Sequence, residues 1–253
     1  MAEQTNLALS KRDWDAALFD MDGVLTDTAR LHTAAWKRLF DAFLDRRATA
    51  TGGSFIPFDP RDDYLAYVDG RPREDGVRTF LAARDVRLPE GSDDDADDAE
   101  TVAALARRKD HLFAQELRGG AEPMPGAVAL LQALRHAGIR TAVVSSSRNC
   151  AEVMEAAGLA SLLDVRVDGV DAVLLGLPGK PAPDLFLEAA QRLGVPPDRG
   201  ILFEDALAGV EAGRRGRFGR VVGVGTGSHA AALLAHGADA VVGDLSEVAI
   251  APD

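Results

Sequence analysis

The sequence of 253 residues predicts an α/β fold in which a parallel β-sheet is interrupted after its first strand by a helical insertion. Short, continuous apolar runs that contain β-branched residues and end in polar or glycine residues are typical of strands buried on both faces of a sheet. Helical patterns separate these runs, and such an alternation favours a parallel sheet. The runs cover residues 16–19, 141–144, 201–203, 220–224 and 240–242.

The segments between these runs carry apolar residues at helix spacing. Across residues 127–136 the apolar positions share one helix face, and Gly138 follows as a typical C-terminal glycine. We predict similar helices at residues 184–193 and 206–212.

The stretch from residue 29 to about residue 120 lacks a convincing strand run. Leu31, Ala35 and Leu39 fall on one face of a helix. Further helical patterns cover residues 62–68, 77–81 and 101–117.

These patterns predict two domains. We expect a core domain of residues 1–28 and 122–253, with an α-helical cap domain of residues 29–121 inserted between the two parts. The acidic segment 92–100 is typical of a solvated loop or of the start of a helix.

Composition excludes several classes of function. The sequence has 28 Lys and Arg against 40 Asp and Glu, a formal net charge of −12, which argues against binding to nucleic acid or to an anionic membrane. A single cysteine, Cys150, excludes an internal disulfide framework and a thiolate-rich zinc site. No apolar run approaches the roughly 18 residues of a membrane span, and residues 1–15 do not resemble a secretion signal. We therefore expect a cytoplasmic location. For the partners, our expectation is a small molecule and a monomeric chain.

Three of the predicted strands end in polar side chains. Asp20 and Asp22 follow the first run. Ser145 ends the second, and the pair Glu204 and Asp205 ends the third. Because ligands of parallel α/β sheets bind at the carboxyl ends of the strands, these side chains predict a functional site at that edge.

The pair Asp20 and Asp22 is the most informative feature of the sequence. Two carboxylates separated by one residue at the end of a strand can both reach one cavity, and Gly23 lets the backbone turn sharply. Taken alone, the pair is also compatible with a Ca²⁺ loop or a chance cluster. An EF-hand is disfavoured because the twelfth loop position lacks the bidentate Glu.

Four motifs in order along the chain carry a family resemblance. Asp20 and Asp22 are followed by Ser145, by Lys180 within a Gly-Lys-Pro tripeptide, and by the Glu204–Asp205 pair. This ordered set resembles the haloacid dehalogenase superfamily of phosphotransferases. The resemblance implies a doubly wound, Rossmann-like parallel sheet with an inserted α-helical cap, in agreement with the pattern of elements above.

Within this superfamily the chain resembles the β-phosphoglucomutase-like subfamily, over about residues 16 to 245. Two positions depart from that pattern: Arg148 stands where Lys is common, and Ala206 stands where Ser is frequent. The matching segments are residues 19–28, 70–76, 107–109, 145–149, 179–184 and 203–209.

The resemblance implies phosphoryl transfer through Asp20. Asp20 would attack phosphorus and form an aspartyl phosphate, and Asp22 would act as general acid and base. Lys180 and Ser145 would hold the transferring phosphate. One Mg²⁺ per chain is implied as cofactor, and its ligands would be Asp20, the backbone carbonyl of Asp22, and Asp205, with Glu204 in or beside the coordination shell.

The implied reaction interconverts β-D-glucose 1-phosphate and D-glucose 6-phosphate, with glucose 1,6-bisphosphate as intermediate and activator. A mutase must hold a phosphate at each end of the sugar, so the far phosphate needs its own cation, and the resemblance assigns this role to Arg73. A sugar-phosphate phosphatase is the alternative reaction, and a non-catalytic sugar-phosphate sensor is the alternative of another class. Further implied substrate-binding residues are Thr28, His32, Lys109, Ser147, Arg148 and Asn149.

Structural explanations stay open for the residues of the insertion. His32 is compatible with a surface or core histidine, and Lys109 with an exposed helix face. Arg73 is compatible with a solvated charge cluster that includes Glu74 and Asp75. Cys150 lacks a histidine pattern that would activate its thiol, so we expect it to be inert. The remaining histidines belong to no recognisable constellation, and we expect them to be structural or exposed: His111, His136, His229 and His236.

Overall fold

The residues described by the computed structural model, 7–68, 71 and 73–251, divide into two units. The sheet unit comprises the chain up to Thr28 together with the chain from Ala121 onward, and the helical unit is Ala29–Gly120. The return to the sheet unit lies one residue before the predicted boundary, because Ala121 groups with the sheet unit.

All five predicted apolar runs are strands of one parallel sheet, which confirms the predicted fold class. The strands are β1 (Leu7–Leu9), β2 (Ala16–Phe19), β3 (Arg140–Val144), β4 (Val165–Val167), β5 (Gly200–Glu204), β6 (Arg220–Val224), β7 (Ala240–Val242) and β8 (Val248–Ile250). Six of them pair in the order β4-β3-β2-β5-β6-β7. Because β2 pairs with β3 on one side and with β5 on the other, the topological switch point lies between β2 and β5.

The central strands are held together by fully buried aromatic and β-branched side chains. Phe19 of β2 is in register with Val143 of β3 and with Phe203 of β5. The rings of Phe19 and Phe203 stack with their centroids 4.9 Å apart. This packing fixes the carboxyl ends of β2, β3 and β5 at one edge of the sheet.

The pattern of apolar runs missed three strands. In β4 the exposed Arg166 separates Val165 from Val167, so this edge strand has no continuous apolar run. Strands β1 and β8 pair with each other in a separate two-stranded parallel sheet. Short edge strands of this kind are only partly buried, and their sequences give a weak signal.

The helical unit has its own aromatic core. Its helices are α1 (Ala29–Thr51), a π-helical turn (Tyr64–Val68), α2 (Arg73–Ala82) and α3 (Val102–Leu117). Phe40 lies at its centre, with ring centroids 4.1 Å from Phe80, 5.1 Å from Trp36 and 5.5 Å from Phe58. Trp36 is therefore a core residue.

The predicted helices of the insertion differ from the structure at their ends. The segment predicted at residues 62–68 is the short π-helical turn, and α2 begins at Arg73, four residues before the predicted start. Thr101 caps α3 by accepting a hydrogen bond from the amide of Ala104 at 3.2 Å. The acidic segment 92–100 forms a loop, as predicted. Gly70 and Pro72, which belong to one of the matching motifs, lie outside the described residues.

The three helices predicted for the sheet unit are present, whereas the helices at Cys150–Ala156, Gly169–Leu175 and Gly227–Ala235 were not predicted from the sequence. Gly138 has a φ of +70°, as expected for a C-terminal glycine, and the helix Leu207–Arg215 ends three residues beyond its predicted end. Within residues 7–68, 71 and 73–251, no helix is long and apolar enough to cross a membrane. The helices are α4 (Ala127–His136), α5 (Cys150–Ala156), α6 (Gly169–Leu175), α7 (Asp184–Leu193), α8 (Leu207–Arg215) and α9 (Gly227–Ala235).

Candidate active site

The loop after β2 brings Asp20 to the edge of the sheet where β5 also ends. The amide of Asp20 donates to the carbonyl of Phe203 at 2.9 Å, so the residue continues the strand pairing before the chain turns. Gly23 has a φ of +78°, and a Cβ atom there would overlap the carboxylate of Asp205. Only glycine therefore allows this backbone to approach Asp205 so closely.

Three carboxylates form an acidic cluster at this edge. Asp20, Glu204 and Asp205 each offer an oxygen atom, and these oxygens all lie within 4.8 Å of one another. Asp20 and Glu204 are buried, and Asp205 is half-buried. Burial raises the pKa of Asp205, and the charges of Asp20 and Glu204 raise it further. Three carboxylates in such proximity repel one another unless cations lie beside them, and an all-oxygen donor set of this kind fits Mg²⁺.

Lys180 lies inside this cluster and links two of its members. Its ammonium nitrogen is 2.7 Å from Oε2 of Glu204 and is hydrogen-bonded to Oδ1 of Asp20. Burial alone would lower the pKa of Lys180, but the charges of Asp20 and Glu204 outweigh it and raise the pKa. Lys180 is therefore a fixed positive charge beside Asp20 at neutral pH.

Glu204 is held on both of its carboxylate oxygens. Oε2 contacts Lys180, and Oε1 accepts a hydrogen bond from the amide of Ala206 at 3.0 Å. Gly209 of α8 packs so tightly against the Glu204 side chain that a Cβ atom there would overlap the carboxylate. These contacts are those of a residue that positions the Lys180 ammonium. They support that role for Glu204 at least as well as a role as direct metal ligand.

Asp22 is oriented by a pair of buried threonines. The Thr28 hydroxyl donates a hydrogen bond to Oδ1 of Asp22 and lies 3.4 Å from the hydroxyl of Thr26. The Thr26 hydroxyl lies 3.2 Å from the carbonyl oxygen of Met21 and donates to it. Asp22 itself is half-buried, so its carboxyl is held in one direction while part of it faces solvent.

Ser145 ends β3 and organises the loop that follows. Its buried hydroxyl oxygen accepts a hydrogen bond from the amide of Ser147 at 3.0 Å, and the Ser147 hydroxyl oxygen accepts one from the amide of Asn149 at 3.2 Å. The hydroxyl proton of Ser145 is not used in this turn.

Arg148 is exposed and makes no hydrogen bond or ion pair with any residue that the structure describes.

In the helical unit, the half-buried His32 and the buried Lys109 form a pair. The ammonium nitrogen of Lys109 lies 2.7 Å from Nδ1 of His32, and the His32 ring stacks on Phe113 with centroids 4.2 Å apart. Burial, and then the charge of Lys109, lower the pKa of His32 well below its ordinary value. His32 is therefore neutral; because an ammonium can only donate, Nδ1 accepts and the ring proton sits on Nε2. Lys109 is buried, so the alternative of an exposed helix face is wrong.

Arg73, the first residue of α2, is part of a charge cluster in the helical unit. Its guanidinium forms an ion pair with Asp110 of α3 and lies 3.7 Å from the carboxylate of Glu74. Asp75 does not belong to this cluster, because it pairs with Arg78 instead. The guanidinium of Arg73 is thus held in place by a neighbouring helix.

One histidine outside the predicted site contacts the loop of the acidic cluster. Nε2 of His229, on α9, donates to the backbone carbonyl of Asp205 at 2.6 Å. His229 is exposed and its contact is structural, in agreement with the prediction for this residue, but no local signal in the sequence connects two residues 24 positions apart. A Cβ atom on Gly225 would come within 2.7 Å of the His229 ring, so this glycine makes room for the contact.

Burial and then the charge of Asp168 raise the pKa of the Cys150 thiol, which fits the predicted inert cysteine.

A parallel sheet with polar residues at its switch point, and an acidic cluster neutralised in part by a lysine, defines a site suited to phosphate chemistry. Residues 14–217 match the family model described as haloacid dehalogenase-like hydrolase, and the chain belongs to that family.

Comparison with individual proteins places both mutases and a phosphatase among its relatives. The chain is 53% identical over 237 residues to a β-phosphoglucomutase of Mycobacterium tuberculosis, an alignment that covers 92% of this chain and 90% of that protein. It is 34% identical to the validoxylamine A 7'-phosphate phosphatase of Streptomyces hygroscopicus subsp. limoneus, with 93% and 96% covered. The crystal structure of a β-phosphoglucomutase from Clostridium difficile is similar in fold, with a TM-score of 0.70, 26% identity and 92% of each chain covered.

Proposed function

We propose that this chain is a Mg²⁺-dependent β-phosphoglucomutase that interconverts β-D-glucose 1-phosphate and D-glucose 6-phosphate. The observation that carries the proposal is the Lys180 ammonium, which bridges Asp20 and Glu204 inside the acidic cluster. The 53% identity to a mycobacterial β-phosphoglucomutase supports the choice of reaction.

The donor set of the acidic cluster supports a single Mg²⁺ per chain. Asp20 and Asp205 would bind it together with the backbone carbonyl of Asp22, and Glu204 would lie in or beside the coordination shell. When bound, the ion supplies charge neutralisation that lets an anionic phosphate approach the Asp20 carboxylate.

The first half of the reaction transfers a phosphoryl group to Asp20. A carboxylate oxygen of Asp20 attacks phosphorus, the bond from phosphorus to the sugar oxygen breaks, and the protonated carboxyl of Asp22 gives its proton to the leaving oxygen. Thr28, through its hydrogen bond to Asp22, orients the carboxyl for this transfer. Lys180 and Ser145 hold the oxygens of the phosphate and fix the direction of attack.

The donor in this first half is glucose 1,6-bisphosphate, which leaves as a glucose monophosphate and therefore serves as activator. In the second half β-D-glucose 1-phosphate is the acceptor: its 6-hydroxyl gives its proton to Asp22 and attacks phosphorus, and the bond from phosphorus to Asp20 breaks. The product of this step is again glucose 1,6-bisphosphate, which is the intermediate and which returns to Asp20 with its other phosphate in the first half. Arg73 would hold the phosphate that is not being transferred. The remaining substrate contacts would come from His32, Lys109, Ser147, Arg148 and Asn149.

A sugar-phosphate phosphatase is the second candidate, and the 34% identity to a phosphatase of a phosphorylated carbohydrate favours it. The two reactions differ only in whether a sugar hydroxyl or water accepts the phosphoryl group from Asp20. The substrate is a sugar phosphate in either case. We also propose that the reaction takes place in the cytoplasm, where sugar phosphates are made and retained, and that the chain acts as a monomer.

The deciding experiment measures both products in the same reaction. The full chain is incubated with β-D-glucose 1-phosphate, Mg²⁺ and a trace of glucose 1,6-bisphosphate, and glucose 6-phosphate and inorganic phosphate are followed together. A mutase forms glucose 6-phosphate in excess over phosphate, and Asp20→Asn abolishes that product. Steady phosphate release without glucose 6-phosphate would identify the phosphatase, and equal activity of Asp20→Asn would remove Asp20 as the nucleophile.

A further inference from the structure

A cavity lies within the helical unit, between α1 and α3. Its volume is about 450 Å³, in the range of cavities that hold small-molecule ligands. Leu39 of α1 and Leu112 of α3 give it an apolar lining. Arg38, Arg46 and Arg108 also line it, and no carboxylate does among the residues that the structure describes. None of the residues proposed above for catalysis or substrate binding lines this cavity.

The arginines are unusual in a chain of this charge. The net charge of the sequence is −12, and yet three guanidinium groups line this one cavity. Arg38 is bound by Glu116 at 2.6 Å. Arg46 makes no ion pair or hydrogen bond with any of residues 7–68, 71 and 73–251. At least one guanidinium is thus available to an anion.

Arg108 is incompletely satisfied by the protein. Its Nη2 donates to the carbonyl of Ala99 at 2.8 Å, but its Nε is buried and has no acceptor in the described part of the chain. Leaving a buried donor without an acceptor is costly, and such groups need an explanation. Burial lowers the pKa of Arg108, and the charge of Arg46 adds to that effect.

Part of this positive charge is offset by the loop that precedes α3. Asp97, Asp98 and Glu100 act on Arg108 in the direction opposite to Arg46. These carboxylates do not line the cavity, so they leave its interior open to an anion.

We propose that this cavity binds a small phosphorylated metabolite at a site separate from the acidic cluster. Guanidinium groups bind phosphate through paired hydrogen bonds, and a phosphate would relieve the repulsion between Arg46 and Arg108. The leucine lining suits the carbon part of such a ligand. The inference goes beyond the proposed reaction and does not depend on it.

Inorganic pyrophosphate is a suitable probe, without Mg²⁺ and at low ionic strength. The full chain is labelled with ¹⁵N-arginine, and the Nε–H signals of Arg46, Arg47 and Arg108 are followed during titration. We expect saturable shifts of the Arg46 and Arg108 signals, while Arg47, which follows Arg46 on α1 but does not line the cavity, stays unchanged. Binding at Lys180 and Ser145 would not produce this pattern, because the signals report on the cavity itself.

Variants give a second, independent readout. Arg46→Gln should weaken pyrophosphate binding, measured on the Arg108 signal, by about tenfold, as expected for the loss of a charged hydrogen-bonding group. The matched control Arg47→Gln should change it by less than about twofold. The proposal is overturned if the Arg108 signal does not move by about 10 mM pyrophosphate, or if Arg46→Gln and Arg47→Gln have equal effects. Absence of mutase activity would refute the proposed function but would not affect the conclusion on pyrophosphate binding in this cavity.

Discussion

The ammonium nitrogen of Lys180 lies 2.7 Å from Oε2 of Glu204, and both side chains are almost completely buried. The same ammonium is hydrogen-bonded to Asp20, so one positive charge serves two carboxylates. Removing one partner of a buried ion pair leaves an uncompensated charge, which is more costly than never having had the pair. Lys180 is therefore a stabilising residue of the fold as well as a proposed phosphate ligand.

Lys180→Met tests the stabilising role. We expect the metal-free variant to lose about 3–5 kcal/mol of unfolding free energy, measured by urea denaturation, because Asp20 and Glu204 then repel each other without compensation. Lys37→Met is the control: the Lys37 ammonium pairs with Asp41 at 2.8 Å on the surface, and its loss should cost about 0–1 kcal/mol. Equal losses in the two variants would contradict the view that Lys180 compensates the cluster.

The acidic cluster gives the metal-free protein a defined dependence of stability on pH. Burial, with the charges of Asp20 and Glu204, raises the folded-state pKa of Asp205 above the ordinary value of 3.8. A carboxyl with a raised folded-state pKa contributes stability that is fully present below the unfolded-state pKa and is lost as pH rises through the folded-state pKa. We therefore expect the melting temperature in chelator to fall between about pH 5 and about pH 8.

Two comparisons isolate the cause of that fall. Asp205→Asn should show a flatter pH dependence, since an amide does not titrate. Added Mg²⁺ should stabilise the native chain more at the higher pH, where the carboxylates are ionised and available as ligands. A melting temperature that rises steadily over this pH range in chelator would show that Asp205 does not have a raised pKa.

His229 offers a way to change the acidic cluster without touching its carboxylates. Its hydrogen bond to the Asp205 carbonyl links α9 to the loop after β5. Removal of a residue that orients a metal ligand without contacting the metal commonly lowers metal affinity by about 10–100-fold. We expect His229→Ala to raise the Mg²⁺ concentration required for half-maximal activity by about tenfold, with little change in the rate at saturating Mg²⁺. His236→Ala, on an exposed histidine that bonds the carbonyl of Ala232 at 2.9 Å, should change neither quantity.

Gly209→Ala should lower the stability of the protein, although helix propensity alone predicts that it should raise it. Gly→Ala within a helix ordinarily stabilises by up to about 1 kcal/mol. At position 209, however, the added methyl would overlap the Glu204 carboxylate, so Gly209→Ala should lower both the melting temperature and the turnover rate. Ala208→Gly, at an exposed position of the same helix, should cost about 1 kcal/mol and leave turnover unchanged. A stabilised and fully active Gly209→Ala would mean that Glu204 does not need its present position.

The sequence predicted the elements whose signal is local. The run Ala16–Phe19 is apolar at every position because β2 is buried on both faces, and Asp20 follows it directly. What it could not predict depends on contacts between distant segments. The approach of Gly23 to Asp205 joins residues 182 positions apart, and the contact of His229 with Asp205 depends on the order of β5 and β6 in the sheet. The ion pair of Arg73 with Asp110 likewise arises from the packing of α2 against α3.

The role proposed for Arg73 distinguishes the mutase hypothesis from the phosphatase hypothesis. A guanidinium that holds the phosphate not being transferred is needed when a bisphosphate must bind and return in the opposite orientation, but not when water accepts the phosphoryl group from Asp20. Arg73→Ala should therefore lower formation of glucose 6-phosphate by about 100-fold, while release of inorganic phosphate falls by less than about threefold. Arg78→Ala is the control, because Arg78 is an exposed arginine of the same helix that pairs with Asp75 and Glu90. Because Arg73 also pairs with Asp110, Asp110→Asn should be measured alongside it, and it should preserve the ratio of the two products. If Arg73→Ala lowered both products equally, Arg73 would serve only the packing of α2 on α3.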